Sequence, residues 1–287
     1  MTFAAGAVDR PILPRSSNKP VQATALLAAG WAPRSAQELA IGAGSHSGED
    51  GHRELVASML SAVGLGPDDL GCPPAMPQHI GTESEWIVAG RAPDRLAMNC
   101  SGKHAAMLSA CVASGWPTED YLSRDHPLQQ AIEARLADAA GEPVTAVVVD
   151  GCGAPQHALT VTGLARGVLS LVQAPDGSPD RSVADAMRAQ PWFVAGTGRI
   201  DTALMEAVPD LLSKEGADGV SVAALPGRGA VALKLDDGGD RGRPPALSAA
   251  LLRLGVPAEV LAPWSLTPLS GGDGVVGEVR PSPLLAA

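Results

Sequence analysis

Glycine and proline interrupt this sequence along its whole length, with 33 Gly and 25 Pro among 287 residues. Both residue types favour turns and end regular elements, so the chain is predicted to contain many loops and tight turns. Apolar residues at a helical period, or in short runs, mark the elements between these turns. Helices are predicted over 19–30, 51–63, 99–114, 128–140, 183–189, 201–208 and 246–254. Strands are predicted over 144–149, 159–163, 219–225 and 229–235, and the first of them is the most clearly buried.

The order of these elements bears on the fold class. Helices and strands alternate irregularly, which favours an α+β or mixed α/β fold over a barrel. The sequence contains no internal repeat and no low-complexity linker. A chain of 287 residues can bury a large core, either as one large domain or as two small ones.

Charge and apolar patterning exclude several classes of function. A net charge of −10, with no cluster of Lys or Arg, argues against a nucleic-acid partner. No stretch reaches the roughly 18 consecutive apolar residues that a membrane helix needs, and no secretory signal is visible. A cytoplasmic protein is therefore expected, in which the cysteines are thiols or metal ligands rather than disulfides. The four cysteines are Cys72, Cys100, Cys111 and Cys152, of which Cys111 is interpreted as core and Cys72 as loop packing.

Lysine is rare in this chain, with four Lys against seventeen Arg. Arg can replace Lys as a solvated cation, but not as a base that must lose its proton. Lys19, Lys103 and Lys234 stand beside Ser, Cys and Gly residues, which indicates lysines with a chemical role, although codon bias and chance give the same composition. Lys214, shortly before Gly216, is interpreted as a cation at the C-terminal end of a helix.

Ser16 and Lys19 have the spacing of the serine nucleophile and its lysine in penicillin-recognising acylases. A serine hydroxyl is a poor nucleophile until a base accepts its proton, and residues three apart in a helical turn face the same way. Burial or a nearby cation can make a lysine neutral enough to act as that base, and Lys234 could supply the cation or a second base. The alternative, of about equal weight, is that Ser16 caps a helix and Lys19 is a solvated charge.

The segment 44–49 is a second polar turn, placed between an apolar stretch and the helix predicted over 51–63. Ser45 could deliver a proton or hold a substrate amide, and Glu49 could bind a substrate ammonium. Ser47 is interpreted as part of a helix cap, with Glu49 in the first turn. Ser45 and His46 lie outside that cap and are free for function.

Cys100 and Lys103 open a predicted helix, and Cys152 lies in the glycine turn after the predicted strand 144–149. Two thiols with His or Asp nearby could form a zinc site, although the paired Cys-x-x-Cys spacing of a zinc knuckle is absent. In the alternative, Cys100 is a buried helix-start residue, Asp150 caps its turn and Cys152 fills space. The His and Asp residues near the thiols in sequence are His104, Asp150 and His157.

A third glycine turn covers 196–202 and enters a predicted helix. Such helix N-termini bind anions, and Arg199 could hold a carboxylate through two hydrogen bonds. The third glycine of a dinucleotide-binding motif is missing, so a nucleotide cofactor is not predicted. The alternative is a tight turn with Asp201 at the start of a helix.

In this order, these segments resemble the asparaginase II family, the rhizobial-type asparaginases. The matching segments, which span nearly the whole chain, are 14–20, 45–49, 99–104, 150–155, 196–199 and 232–234. The resemblance implies hydrolysis of L-asparagine to L-aspartate and ammonia by a single domain over residues 1–287. It also implies a fold similar to serine β-lactamases and serine-dependent glutaminases, and a homodimer.

The resemblance also implies roles for individual residues. Ser16 would be the nucleophile with Lys19 as its lysine, and Ser45 would be a second serine paired with Lys234. Cys100, Lys103 and Cys152 would contact zinc, with Asp150 and His104 as neighbours. The candidates for substrate binding are Arg15, His46, Glu49, Asp150 and Arg199.

The chain departs from the family pattern at its start. Only fifteen residues precede Ser16, where the family usually has a stretch of strands that is a few tens of residues long in total. One alternative is therefore a truncated, inactive paralogue that binds zinc or an amino acid. Another is a different Ser-Lys acylase, such as a glutaminase or a β-lactam-handling protein. Penicillin-binding proteins are disfavoured, because the chain has no Lys-Thr-Gly triad and no visible secretion signal.

Overall fold

The computed structural model describes residues 1–286 of the chain as helices packed on one another and on a small sheet. The helices are α1 (Lys19–Ala28), α2 (Ala36–Gly42), α3 (Asp50–Ala62), α4 (Ile80–Val88), α5 (Ser101–Ser114), α6 (Pro127–Ala140), α7 (Val161–Gln173), α8 (Pro179–Ala189), α9 (Pro191–Val194), α10 (Ile200–Ala207), α11 (Arg243–Arg253), α12 (Ala258–Leu261) and α13 (Pro283–Ala286). Short 3-10 turns cover Arg15–Asn18, Pro67–Asp69 and Ala262–Trp264.

The strands form four small antiparallel sheets. One contains three strands in the order β5-β6-β7, and the pairs β1–β4, β2–β3 and β8–β9 form the others. This mixture of helices and small sheets is the predicted α+β class, whereas the likeness to serine β-lactamases stays a prediction. The strands are β1 (Pro11–Ile12), β2 (Val147–Val149), β3 (Pro155–His157), β4 (Leu159–Thr160), β5 (Leu212–Gly216), β6 (Val220–Leu225), β7 (Gly229–Lys234), β8 (Thr267–Gly271) and β9 (Gly274–Val279).

The three-stranded sheet separates two apolar cores. Successive side chains of a strand point to opposite faces. Val220 and Val222 therefore join a large core with α7, while Ala223 and Leu225 join a smaller core with α11. Because both faces are covered, every residue of β6 is buried and its sequence is a continuous apolar run apart from Ser221.

Helix α1 crosses the large core and brings the Ser-Lys segment into the interior. Its residues from Lys19 to Leu26 are all buried, and it packs against α5, α6 and α8. Pro20 lies in its first turn, where the missing backbone N–H has no intrahelical partner to lose. The start of α1 is thereby fixed inside the protein.

The seven predicted helices are all present, with ends displaced by a few residues, and so are the strands predicted over 219–225 and 229–235. The strand predicted over 144–149 is shorter, and the prediction that it is buried is wrong. Val148 and Val149 are exposed, because β2 pairs with β3 alone. The prediction over 159–163 is wrong beyond Thr160, whose Oγ1 accepts from Gly163 N at 2.8 Å and caps α7. The helix-end interpretation of Lys214 is also wrong, because Lys214 lies in the middle of β5.

A cavity of about 940 Å³ lies beside β7, which has a neighbouring strand on one side only. The N-terminal segment before β1, strand β7 and helix α11 line this cavity. Lys234 is among the lining residues, whereas Ser16, Lys19 and Ser45 are not. None of the helices in residues 1–286 is long and apolar enough to cross a membrane.

Candidate active site

Ser16 lies in a tight turn directly before α1. In the 3-10 turn Arg15–Asn18, Arg15 has a left-handed backbone with a φ of 54°. A non-glycine residue in such a conformation stores strain on the order of 1–3 kcal/mol. Ser17 Oγ donates to Pro14 O at 2.7 Å, so Ser17 is fixed within the turn while Ser16 stays partly exposed.

Gly216 at the end of β5 lets this turn pack closely against the sheet. A Cβ added at Gly216 would overlap the carbonyl oxygen of Pro14 and lie 3.2 Å from the backbone N of Ser17. Arg243 Nη1 donates to Gly216 O at 2.8 Å and fixes the same residue further. The turn that carries Ser16 is therefore positioned by the three-stranded sheet.

Lys19 is buried, and its ammonium joins three parts of the chain. Its Nζ donates to Gly44 O and to Ser45 Oγ, both at 2.8 Å, and to Cys100 Sγ at 3.0 Å. A lysine ammonium has three N–H donors, so these three acceptors use all of them. The hypothesis that Lys19 is a solvated charge is wrong, since its side chain is 1% exposed.

The alternative role of Ser16 as a helix cap is also wrong. The residue at the N-cap of α1 is Asn18, and no side chain accepts a capping hydrogen bond there. In residues 1–286 the Ser16 hydroxyl makes no hydrogen bond to another side chain or to the backbone. Ser16 Oγ is therefore available to a substrate.

The expected pairing of Ser45 with Lys234 differs from the geometry. Ser45 Oγ accepts from Lys19, while Lys234 Nζ donates to Asp218 O at 2.7 Å and to Leu235 O at 2.6 Å. The reason is the place of Lys234 at the end of β7, where two backbone carbonyls lie within reach of its ammonium. Lys234 therefore belongs to the outer edge of the sheet.

The buried lysine of the sheet is Lys214, on strand β5. Its Nζ donates to Glu215 O at 2.7 Å and forms an ion pair with Asp201 at 3.6 Å. Burial lowers the pKa of Lys214 to about 8, and the charge of Lys19 acts in the same direction, against the opposing effect of Asp201 and Glu215. Lys214 thus lies within electrostatic reach of Lys19, on the strand that supports the Ser16 turn.

The segment that carries Ser45 is held by buried hydrogen bonds. Ser45 N donates to Val194 O at 2.7 Å. His46 Nδ1 accepts from Gly48 N at 3.1 Å, and Nε2 donates to Ser101 Oγ at 2.9 Å. Burial holds the pKa of His46 well below its ordinary value, so the ring is neutral. Both ring nitrogens have protein partners, and His46 supports the Ser45 segment rather than offering a free nitrogen.

Glu49 connects the same segment to the glycine turn before α10. Its carboxylate accepts from Ser47 Oγ at 2.7 Å, from Thr197 N at 2.9 Å and from Thr197 Oγ1 at 2.7 Å. Burial alone would raise the pKa of Glu49, but these hydrogen bonds outweigh it and the pKa is lowered. The prediction that Ser47 caps α3 is wrong, because the N-cap residue is Glu49 and Ser47 donates to its carboxylate.

Arg199 is already paired within the protein. Its guanidinium bonds to the carboxylate of Glu215, and Nη1 donates to Gln78 Oε1 at 3.0 Å. Arg243 Nη2 contacts the other oxygen of Glu215 at 2.8 Å. Arg199 and Arg243 together balance the charge of the buried Glu215 beside Lys214. The carboxylate that Arg199 binds is therefore a side chain of the protein, whereas a substrate carboxylate was predicted.

Arg15 brings the 150–155 loop next to the Ser16 turn. Its Nε donates to Asp150 Oδ1 at 2.7 Å, and a second guanidinium nitrogen bonds to Asp218. Asp150 Oδ1 also accepts from Gly151 N at 2.8 Å. Arg15 and Asp150, both predicted to bind substrate, are therefore in direct contact.

Cys100, Lys103 and Cys152 form a buried cluster beside Lys19. Lys103 Nζ donates to Cys152 Sγ at 3.4 Å, and the two sulfurs lie in one small apolar cluster with Ala154. The Cys100 thiol donates to Asn99 Oδ1 at 3.3 Å. Interaction between the two sulfurs lowers the pKa of Cys152, with help from Lys103, and raises the pKa of Cys100. Cys152 is buried in this apolar cluster and also accepts a hydrogen bond from Lys103.

Comparison with known families identifies the chain. A family model described as L-asparaginase II matches residues 1–281. The chain belongs to the L-asparaginase II family. A search of curated proteins found no match. Membership of the L-asparaginase II family supports a hydrolase that acts on amides, with a small amide as its substrate.

In this member of the L-asparaginase II family, the residues predicted to hold zinc are Cys100, Lys103 and Cys152. Within residues 1–286, no three His, Cys, Asp or Glu side chains are arranged to hold a metal. The possible zinc ligands are therefore the two cysteine sulfurs and Lys103 Nζ, which lies 3.4 Å from Cys152 Sγ. Thiolate is a favoured zinc ligand. Lys103 would be the third ligand only as a neutral amine. Burial alone lowers the pKa of Lys103, but the neighbouring Cys152 and Cys100 outweigh it and the pKa is raised, so a bound zinc ion would have to displace its proton.

The sequence interpretation missed two residues that the structure places at this site. The sequence analysis assigns Lys214 to a helix end. The argument that rare lysines have a chemical role holds for Lys214 as well as for the other three lysines. Asp201 is buried, and it accepts from Ser213 Oγ at 2.7 Å and from Glu215 N at 2.8 Å. Two apolar residues before Ser213 were the signal for a strand at this position.

Proposed function

We propose that this protein is an L-asparaginase that hydrolyses L-asparagine to L-aspartate and ammonia, with Ser16 as its nucleophile. The observation that carries the proposal is the position of Lys19, which is buried one turn after Ser16 and bonded to Ser45 Oγ. Family membership supports the amide substrate. The choice of asparagine as the substrate and the catalytic roles of individual residues are part of the proposal.

In the first step, Lys19 acts as a neutral amine, with two N–H donors and a lone pair. Ser16 Oγ attacks the side-chain carbonyl carbon of the substrate while the Ser16 proton passes to the lone pair of Lys19. The lysine then returns a proton to the amide nitrogen, either directly or through Ser45, to which Lys19 is bonded. The C–N bond breaks, ammonia leaves, and the acyl group remains on Ser16 as an ester.

In the second step, a water molecule attacks the ester carbon, and its proton passes to a lysine of the site. The C–O bond to Ser16 breaks, Ser16 recovers its proton, and L-aspartate leaves. We assign Lys214 rather than Lys234 as the second lysine, because its lowered pKa of about 8 leaves an appreciable neutral fraction near that pH.

Zinc is part of the proposal as a bound ion. Cys100, Lys103 and Cys152 would hold it, and it would act as a Lewis acid that polarises a carbonyl or carboxylate group. Arg15 and Asp150 would then border the substrate, because they connect the Cys152 loop to the Ser16 turn. A homodimer is proposed from the family resemblance alone, and light scattering on the purified protein tests it.

The experiment compares ammonia release from L-asparagine and from L-glutamine by the wild-type protein, Ser16→Ala and Ser17→Ala. Ser17 is the matched control, since its hydroxyl is a buried donor to Pro14 O in the same turn. We expect asparagine turnover in the wild type and in Ser17→Ala, and only background release in Ser16→Ala.

Other outcomes would change the proposal. Equal loss of asparagine turnover in Ser16→Ala and Ser17→Ala would show that activity depends on the conformation of the turn and not on Ser16 as the nucleophile. Faster turnover of glutamine would favour a glutaminase. No turnover of either amide by a folded wild type with added zinc would favour a binding protein.

A further inference from the structure

Tyr121 is the only tyrosine in the chain, and its hydroxyl lies between two groups deep in the protein. Gly71 N donates to Tyr121 Oη at 2.8 Å. The same oxygen lies 2.6 Å from His104 Nδ1. Burial raises the pKa of Tyr121, so the hydroxyl keeps its proton at neutral pH.

These contacts fix the direction of the hydrogen bonds. Because the backbone N–H of Gly71 donates to the phenol oxygen, the phenol proton is free to donate to His104 Nδ1. Nδ1 can accept the phenol proton only if that nitrogen carries no proton of its own. A neutral imidazole that accepts at Nδ1 carries its proton on Nε2.

The Nε2 side of His104 faces the cysteine cluster. This nitrogen is buried and has no hydrogen bond of ordinary geometry to any group in residues 1–286. The Cys152 sulfur is the side-chain hydrogen-bonding group that lies against the His104 ring. A buried N–H without an acceptor is costly, and the Cys152 sulfur is the acceptor within reach.

We propose that Tyr121 is a positioning residue, which fixes the His104 tautomer so that Nε2–H donates to the Cys152 sulfur. The hydrogen-bond relay runs from Gly71 N–H through the Tyr121 hydroxyl and the His104 ring to the Cys152 sulfur. His104 is then a donor to a metal-binding sulfur and not a metal ligand itself. The value of the relay to catalysis rests on the proposed function, whereas its existence does not.

The tautomer can be measured without metal or substrate. The probe is the ¹⁵N NMR spectrum of the zinc-free protein labelled at histidine, with the His104 signals assigned by comparison with His104→Gln. In the wild type we expect the shift of an unprotonated nitrogen at Nδ1 and of a protonated nitrogen at Nε2. In Tyr121→Phe, which keeps the ring but loses the hydroxyl, we expect a mixture of tautomers or a reversal.

Ser109→Ala is the matched control. Ser109 lies on the same helix as His104 and donates to Ala105 O at 2.8 Å, so the variant loses one buried hydroxyl without touching the relay. A protonated Nδ1 in the wild type would overturn the proposal. So would His104 signals that are unchanged in Tyr121→Phe, or that change equally in Ser109→Ala.

Zinc titration against a chelating dye provides a second readout. Loss of an outer hydrogen-bonding partner typically weakens metal binding about 10–100-fold, so we expect that loss in Tyr121→Phe and none in Ser109→Ala. Unchanged zinc affinity in Tyr121→Phe would overturn the positioning role. A wild type that hydrolyses no amide but shows the expected NMR shifts would sink the proposed function and leave the relay intact.

Discussion

At the scale of single residues, the candidate site depends on lysines whose surroundings differ sharply. Lys19 donates to three acceptors, and Lys214 is buried beside Asp201, whereas Lys234 reaches two backbone carbonyls at the sheet edge. Sequence spacing predicts that Ser16 and Lys19 lie within one turn of each other, and the structure places Ser16 in the turn directly before Lys19 begins α1. The spacing could not choose between Lys214 and Lys234, because the choice depends on which strand passes under the Ser16 turn.

A pair of substitutions tests that choice. Lys214→Met removes the amine and keeps the length of the side chain, so we expect kcat/KM for asparagine to fall about 10²–10⁴-fold, as for loss of a general base. Lys234→Met, which removes an amine of the same type on β7, is expected to keep most of the activity. A larger loss in Lys234→Met would restore the original assignment. Thermal unfolding of both variants shows whether each is folded when it is assayed.

At the scale of secondary-structure elements, the strand predicted over 159–163 shows what periodicity could not decide. The run from Leu159 to Gly163 is short and mainly apolar, which suits a buried strand or the start of a helix. Thr160 decides the outcome, because its hydroxyl caps α7 and also donates to Glu142 Oε2 at 2.8 Å. Glu142 is eighteen residues away in sequence, so local pattern alone did not contain this contact.

Packing between elements makes Gly216 a sensitive position. Gly216→Ala places a methyl group against Pro14 O and the backbone of Ser17, so β5 and the Ser16 turn must move apart. Overpacking of this kind costs about 1–3 kcal/mol, and we expect kcat to fall because Ser16 moves with the turn. Urea unfolding and the ammonia assay measure the two effects.

Gly66→Ala is the control for Gly216→Ala. Nothing lies within 4 Å of a Cβ added at Gly66, and its φ of −136° is open to any residue. We expect stability and activity close to wild type. Activity retained in Gly216→Ala at wild-type level would show that the turn tolerates displacement.

At the scale of the whole molecule, the sequence predicted the α+β class, most helices and the family, because these depend on periodicity and on ordered motifs. The division of the sheet between two cores was not predictable, since it depends on how distant elements meet. Burial of Lys214 is one result of that division, and it makes the stability of the entire fold depend on pH.

The sign of this dependence follows from the direction of the shift. The pKa of Lys214 falls from 10.5 in the unfolded chain to about 8 in the fold, so between these values the unfolded chain binds the extra proton. Stability therefore rises with pH through this window, and the group contributes about 3 kcal/mol over the full range. We expect the wild type to gain this amount relative to Lys214→Met between pH 7 and pH 11, measured by urea unfolding. A constant difference between the two proteins would contradict the shift.

The three acceptors of Lys19 have a consequence for how activity appears during folding. Its partners lie 25, 26 and 81 positions further along the chain, so no short segment contains the Lys19 environment. Recovery of amide hydrolysis during refolding should lag behind the return of helical signal and coincide with the last docking step. The proposed hydrolytic activity would then be present only in fully folded molecules. A partly folded chain would not hydrolyse amides.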